Sequence, residues 1–520
     1  MKPRLGRISM KPRLGLLVCL LVISSSYANS RSDIAESTVT NYLKKPTGRY
    51  GVGFQDFHWI NQKDCPDVNF KGNNQDDFSP RNTKHCHEIV ARIYYPTETQ
   101  HQPGSSYYPP FIASIQQDIL KQLPAISKIE LEQLTKIKSF SIEKTAIIKD
   151  KQFPILLFSP GFGSPAEEHE NFITELVSQG YIVVGINTPF INLVALPNGH
   201  VVKPVDLANV KNIDKYLSDK LVPLQSQDLI YVYNKLHKEH YSNSLFSSMD
   251  LGHMGAFGHS IGAWTLVDVA YNHPSWFKAI VPLDIGEDKD GKALKKFTIP
   301  VMYQICSTRQ LEYSPLPVTF DLGHNGYLVV ISPTERTIGY SQHNNFSDLS
   351  TLQYQPAITE SFNYYKKQQL DTEFDFKLMS HYPTKKDTMA FHKTTYVLFK
   401  QENNWHLVVY FINPNQTNVP IYFDINRING LQKALFALPN KPIESLSDSE
   451  IEPIKKIVVS LIDIMAGALG TGNGWEITAS INTYLVQFFN MYLKGEENPA
   501  FNNCIPLITN TYIKCGPGIY

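Results

Sequence analysis

Apolar residues fall along the chain in short β-rich runs separated by helix-sized stretches. The runs are Ile89–Tyr95, Ile155–Phe158, Tyr181–Ile186, His253–Phe257, Ala279–Leu283, Ile299–Ile305 and Tyr327–Ile331. Between and after them, Asn171–Gln179, Ala263–Tyr271 and Ile481–Leu493 carry the spacing of amphipathic helices. That rhythm predicts an α/β chain built on a mostly parallel central sheet with helices on both faces. Leu193–Met249 holds charged, helix-like segments (Ile213–Lys220 and Asp228–Lys238) between two strands, and is expected to form a cap.

From Leu352 to Asn473 the texture changes. Thr395–Lys400 and His406–Ile412 alternate around Glu402-Asn403-Asn404, which signals a hairpin, and Val419–Phe423 could add a third strand. An antiparallel insertion is expected there. Ile457–Leu469 is apolar but short and contains Asp463, so it reads as a buried or interfacial helix rather than a membrane span. At such a helix the protein could touch a lipid surface peripherally.

The 520 residues are 42% hydrophobic and 18% charged, enough apolar content for a large core and far too much for a disordered chain. Lys+Arg and Asp+Glu both total 48, so no basic field is available to grip nucleic acid. The first 28 residues alter that balance. Lys2, Arg4, Arg7, Lys11 and Arg13 precede the apolar run Leu14–Ile23, and Ser26-Tyr27-Ala28 offers small residues where a signal peptidase cuts. Cleavage after Ala28 removes five positive charges and leaves 43 basic against 48 acidic residues, a net charge of −5. The expectation is export, to the periplasm or out of the cell. A repeated Met-Lys-Pro-Arg-Leu-Gly leaves both Met1 and Met10 as candidate starts.

Cysteine usage agrees with export. Cys65 with Cys86, and Cys504 with Cys515, would each close a short loop in an oxidising compartment, while Cys306 lies in an apolar run and reads as a buried thiol. No CxxC pair occurs, so no metal is expected, and nothing in the sequence calls for a cofactor.

Chemistry concentrates at Gly258-His259-Ser260-Ile261-Gly262, placed between a strand-like run and a helix-like one. A GxSxG pentapeptide in that setting describes a nucleophile elbow, a sharp turn that lifts Ser260 Oγ to where a carbonyl can reach it. A serine hydroxyl needs a base, and His343 follows the last strand-like run, as the order Ser…acid…His of the α/β-hydrolase fold requires; His324 precedes that run. Two acids compete. Asp284 ends the run Ala279–Leu283, whereas Glu312 lies several residues into the polar loop after Ile299–Ile305; the closer anchor favours Asp284. An oxyanion needs two preorganised donors, for which the N–H of Ile261 and that of Phe162, in Ser159-Pro160-Gly161-Phe162-Gly163, are the candidates.

With these residues assembled, the chain resembles the secreted platelet-activating-factor acetylhydrolases, serine lipases of the α/β-hydrolase fold. Gly48-Arg-Tyr-Gly-Val-Gly-Phe-Gln-Asp56 with Ala91-Arg-Ile-Tyr-Tyr-Pro-Thr97 is similar to the family's opening strands, and Phe158-Ser-Pro-Gly-Phe-Gly163 to its oxyanion turn. Gly258–Gly262, Leu283-Asp284 and His343-Asn-Asn-Phe-Ser-Asp348 resemble its elbow, acid and histidine segments. The resemblance implies Ser260, Asp284 and His343 as a triad, Phe162 and Ile261 as oxyanion donors, and an ester or lipid substrate. The chain departs from the family at Pro160, where a His is common, and in the Cys65–Cys86 loop and the insertion.

The expected division is a signal peptide (1–28), a catalytic core (29–350) capped at about 193–249, a β-rich and helical insertion (352–473), and a terminal core helix with a disulfide-closed tail (474–520). Two other readings stay open from sequence: a general carboxylesterase or polyester-type hydrolase, and an inactive hydrolase-fold binding protein. The sequence is silent on oligomeric state.

Overall fold

The computed structural model describes residues 43–62, 86–98, 103–107, 137–198, 201–285 (except 206, 208, 209 and 211), 297–306, 321–331 (except 324), 343–351 and 474–519 (except 510 and 517), with shorter pieces between 375 and 457. The signal-peptide stretch 1–28, Cys65, Glu312, His324 and all of Ile457–Leu469 beyond Ile457 lie outside the described residues.

The core supplies β1 (Gly51–Asn61), β2 (His87–Thr97), β3 (Ser141–Glu143), β4 (Phe153–Ser159), β5 (Ile182–Asn187), β6 (Met249–His259), β7 (Ala279–Leu283), β8 (Val301–Cys306) and β9 (Gly326–Ile331). The insertion follows with β10 (Asp375–Met379), β11 (Thr395–Gln401), β12 (Asn404–Ile412) and β13 (Asn418–Phe423), and the tail adds β14 (Thr511–Cys515). Among the described residues one ten-stranded sheet runs β14-β9-β8-β7-β6-β4-β5-β2-β1-β3. The six strands from β9 to β5 are mutually parallel, while β2 is antiparallel to both of its neighbours and β14 to β9. This order is that of the α/β-hydrolase fold.

Four helices position the site: α1 (Glu170–Ser178), α2 (Val222–Glu239), α3 (Ile261–Asn272) and α4 (Gly474–Lys494). Strand residues alternate between two cores. Ile155, Leu157, Ala256, Ile280 and Tyr303 meet α2 and α3 on one face; Leu156, Phe158, Phe257, Val281 and Met302 meet α1 and α4 on the other. Both faces being covered explains why the strands read as unbroken apolar runs. A fully buried Leu, Ile or Phe of this kind contributes roughly 2 kcal/mol relative to exposure.

The expectation of a cap over 193–249 needs correction. Leu229, Val232 and Leu236 of α2 pack into the sheet core beside α3, so this helix is the crossover between β5 and β6. Its apolar stripe is narrow and its other face charged, which is why it read as a peripheral segment. Only the stretch before it lies over the site. There Tyr216, Leu217 and Leu221, the last two at the ends of a π-helical turn, cluster with Phe162, Ile191, Leu224 and Ile261.

Among the described residues the insertion forms a separate four-stranded sheet, β10-β11-β12-β13. Gln401 pairs with Asn404 to close the expected hairpin, and β13 pairs antiparallel with β12. Unexpectedly, β10 lies parallel to β11, so the insertion is mixed rather than purely antiparallel. The tail is likewise more than a closed loop, because β14 extends the main sheet. Cys504 and Cys515 are bonded, Cys306 is a buried thiol, and Cys86 is itself disulfide-bonded. Among the described residues no helix is long and apolar enough to cross a membrane.

Candidate active site

Consecutive strands β4 and β5 lie on one side of the crossover point and β6 on the other, so the carboxyl ends of β4 and β6 open a crevice between diverging connections. The register pairs Phe158 with Phe257 and Ser159 with Gly258. The turn after β4 and the elbow after β6 are therefore neighbours by sheet geometry alone.

Ser260 has φ 57° and ψ −121°, a strained conformation for a residue with a Cβ. The flanking glycines serve closeness rather than backbone freedom, since neither has a positive φ. A Cβ on Gly258 would stand 2.4 Å from the carbonyl oxygen of Gly262, and one on Gly262 would stand 2.0 Å from that of Ser159. Only at these positions can α3 begin hard against β4.

His343 Nε2 lies 2.9 Å from Ser260 Oγ, and His343 Nδ1 is hydrogen-bonded to Asp284 Oδ2. The structure thus brings Ser260, His343 and Asp284 into one chain of contacts. Asp284 has φ 44° at the end of β7, and its Oδ1 accepts the N–H of Cys306 at 2.8 Å. Its own N–H donates to the carbonyl of Gln304 at 2.7 Å. Asp284 is fully buried, whereas His343 keeps about a third of its side chain exposed, so the chain leads from an immobilised carboxylate to an accessible hydroxyl.

Phe162 and Ile261 share the apolar cluster beside Ser260. Ile261 is the first residue of α3, where an N–H has no intrahelical acceptor. On the other side, Gly163 N–H donates to Ile191 and Ser164 N–H to Gly161, while among the described residues no acceptor takes the N–H of Phe162. Asn192 Nδ2 donates to the carbonyls of Gly161 and Ser164 at 2.8 and 3.0 Å, and Gln225 Nε2 donates to that of Pro160 at 3.0 Å. Thr265 on α3 holds Gln225 in turn at 2.9 Å. With these three carbonyls occupied, the turn is held in place while the N–H of Phe162 is left without a protein acceptor among the described residues.

The loop of His343 is anchored by Asp348. Its carboxylate accepts the N–H groups of Glu170 and Asn171 at the start of α1, at 2.8 and 2.9 Å, and the Tyr107 hydroxyl at 2.9 Å. Burial pushes the Asp348 carboxyl up to about 7, against the pull of those donors. Glu170 beside it is pushed up to about 8 by burial, and Glu168 to about 7.

Sequence reading missed Asn192, Gln225, His259 and Asp348 as parts of this region. Gln225 is itself buried, between Leu224 and Leu229 on the covered face of its helix, and an amide among such leucines is the signal that could have marked it. Asn192 carried no signal. Among the described residues no cluster of His, Cys, Asp and Glu could hold a metal.

No protein-family model matches the chain, and a search of curated proteins returned no match. Among solved structures, it is similar to a ferulic acid esterase from Streptomyces cinnamoneus, at 14% identity and a TM-score of 0.49. The likeness covers 91% of this chain and 98% of that one.

Proposed function

We propose that this protein is a serine ester hydrolase with Ser260 as nucleophile, His343 as general base and acid, and Asp284 as the carboxylate that orients and balances the imidazole. One observation carries the reading: Ser260 Oγ stands 2.9 Å from His343 Nε2, with Asp284 on the far nitrogen. As Oγ attacks the ester carbonyl, its proton passes to Nε2, and the oxyanion takes the N–H groups of Phe162 and Ile261. The proton then goes to the departing alcohol. Water, deprotonated by the same nitrogen, releases the acid from the acyl-enzyme.

The proposed substrates are carboxylic esters, lipids or short-chain phospholipids among them, as in the platelet-activating-factor acetylhydrolases. Supporting that choice, Phe162, Ile191, Leu217 and Ile261 form an apolar wall next to the serine, suited to an acyl chain. The proposed setting is extracellular or periplasmic, in keeping with the charged and apolar leader and the Cys504–Cys515 bond. A chain-length profile on p-nitrophenyl esters, acetylated phospholipids and a polyester, with wild type and Ser260→Ala, tests both levels. Equal rates for the two proteins overturn the proposal. Hydrolysis of polymer without phospholipid moves the substrate to the carboxylesterase class.

A further inference from the structure

The last residue of β6, directly before the nucleophile, is a second histidine that the reaction just described does not use. His259 is 5% exposed, and it lies against both the turn after β4 and the loop of His343. Its ring lies 4.7 Å from that of His343 and stacks at 6.3 Å on Phe346. A Cβ on Gly161, in the turn after β4, would come 3.2 Å from His259 Nδ1. Its Nε2 lies 3.2 Å from the main-chain carbonyl oxygen of His343, and its Nδ1 lies 3.2 Å from Nε2 of the fully buried His169.

Elementary hydrogen-bond chemistry assigns the protons. A carbonyl only accepts, so His259 Nε2 carries the hydrogen. Burial, with His343 and His169 nearby, holds His259 well below the usual histidine range, so the ring is neutral and Nδ1 is bare. That nitrogen faces Nε2 of His169, which burial keeps neutral by lowering it to about 3, against a hydrogen bond with the Pro165 carbonyl.

Resting on the proposed roles of Ser260 and His343, we propose that His259 is a positioning residue. Its Nε2–H clamps the carbonyl of His343, which can only accept. The clamp matters because His343 opens a short 3-10 turn and keeps about a third of its side chain exposed. Asp284 restrains one edge of its ring, while the main chain carrying that ring is restrained by His259. In the opposite tautomer a bare Nε2 would face the carbonyl and repel it.

Two polar variants of similar volume separate this role from simple packing. In His259→Gln the amide nitrogen falls near the position of Nε2 and still reaches the carbonyl; in His259→Asn it falls near Nδ1 and does not. On a soluble ester, the Asn variant is expected to lose on the order of 10²-fold in kcat, the scale of a misplaced catalytic group, with KM within about twofold. The Gln variant is expected to stay within about threefold of wild type in kcat. Equal kcat for the two variants, high or low, overturns the clamp. So does a loss confined to KM. Ser260→Ala in the same assay keeps the outcomes apart: its activity at the wild-type level defeats the underlying reading, whereas an inactive Ser260→Ala beside a fully active Asn variant defeats only the role of His259.

Discussion

Gly262 approaches the main chain of Ser159 so closely that a Cβ on it would fall 2.0 Å from the Ser159 carbonyl oxygen. The contact joins the first turn of α3 to the end of β4, and so fixes the distance between the elbow and the turn bearing Phe162. The neighbouring atoms are backbone, which cannot rotate away as a side chain would.

Gly262→Ala should therefore push the two strand ends apart. The expected result is a loss on the order of 10²-fold in kcat/KM, with a stability loss of about 1–3 kcal/mol from overpacking. Ester hydrolysis and urea unfolding of the variant check this, and a variant with wild-type turnover would contradict the geometry.

Asp284 is proposed to hold His343 in its reactive orientation. Asp284→Asn should lower kcat by about 10⁴-fold, the scale seen when the orienting carboxylate of a triad becomes an amide. Glu312→Gln, altering the other acid considered from sequence, should leave kcat near wild type. Loss of activity in the Glu312 variant alone would transfer the role.

Glu170 lies in the buried contact that anchors the histidine loop, with its carboxyl pushed up to about 8 by burial while Ser139 and Arg92 pull it down. A carboxyl raised in the folded state stabilises fully below its unfolded value of about 4.3, and loses that contribution as pH rises through about 8. Glu170→Gln removes this titration. The melting temperature of the variant minus that of wild type should therefore grow from about pH 5 to about pH 9. A constant difference across that window would show that Glu170 ionises normally.

The Cys504–Cys515 bond spans 11 positions and ties the last helical turn to β14. In the chain-entropy account such a loop contributes about 3 kcal/mol. Cys504→Ser with Cys515→Ser should lower the unfolding free energy by about that amount in urea titration. Turnover should persist, because β14 sits at the sheet edge, four strands from β6.

Much of the candidate site was legible in the sequence because a sheet of the α/β-hydrolase fold converts chain order into position. The runs that became β4, β6, β7 and β9 were visible as unbroken apolar stretches, and Phe162, Ser260 and Asp284 follow three of them within a few residues. His343 could be placed beyond β9 by the same rule. What escaped notice depends on contacts between distant residues. His259 appeared only as the variable position of a pentapeptide, and Asp348 only as part of a matched segment. Their partners His169 and Asn171 lie 90 and 177 residues away, and no periodicity reveals such pairs. The insertion's β10 was missed because its five residues gain their identity by pairing with β11. The helix α2 was misjudged because a narrow stripe of Leu229, Val232 and Leu236 suffices to bury it.

The central claim is that Ser260 is the hydroxyl activated in this molecule. The most direct measurement is reaction of the folded protein with a fluorophosphonate, followed by peptide mass spectrometry to locate the adduct. The account predicts one adduct, on Ser260, with labelling slowed by at least about 10²-fold in His343→Gln. An adduct on a different serine, or undiminished ester hydrolysis by protein that carries none, would contradict it.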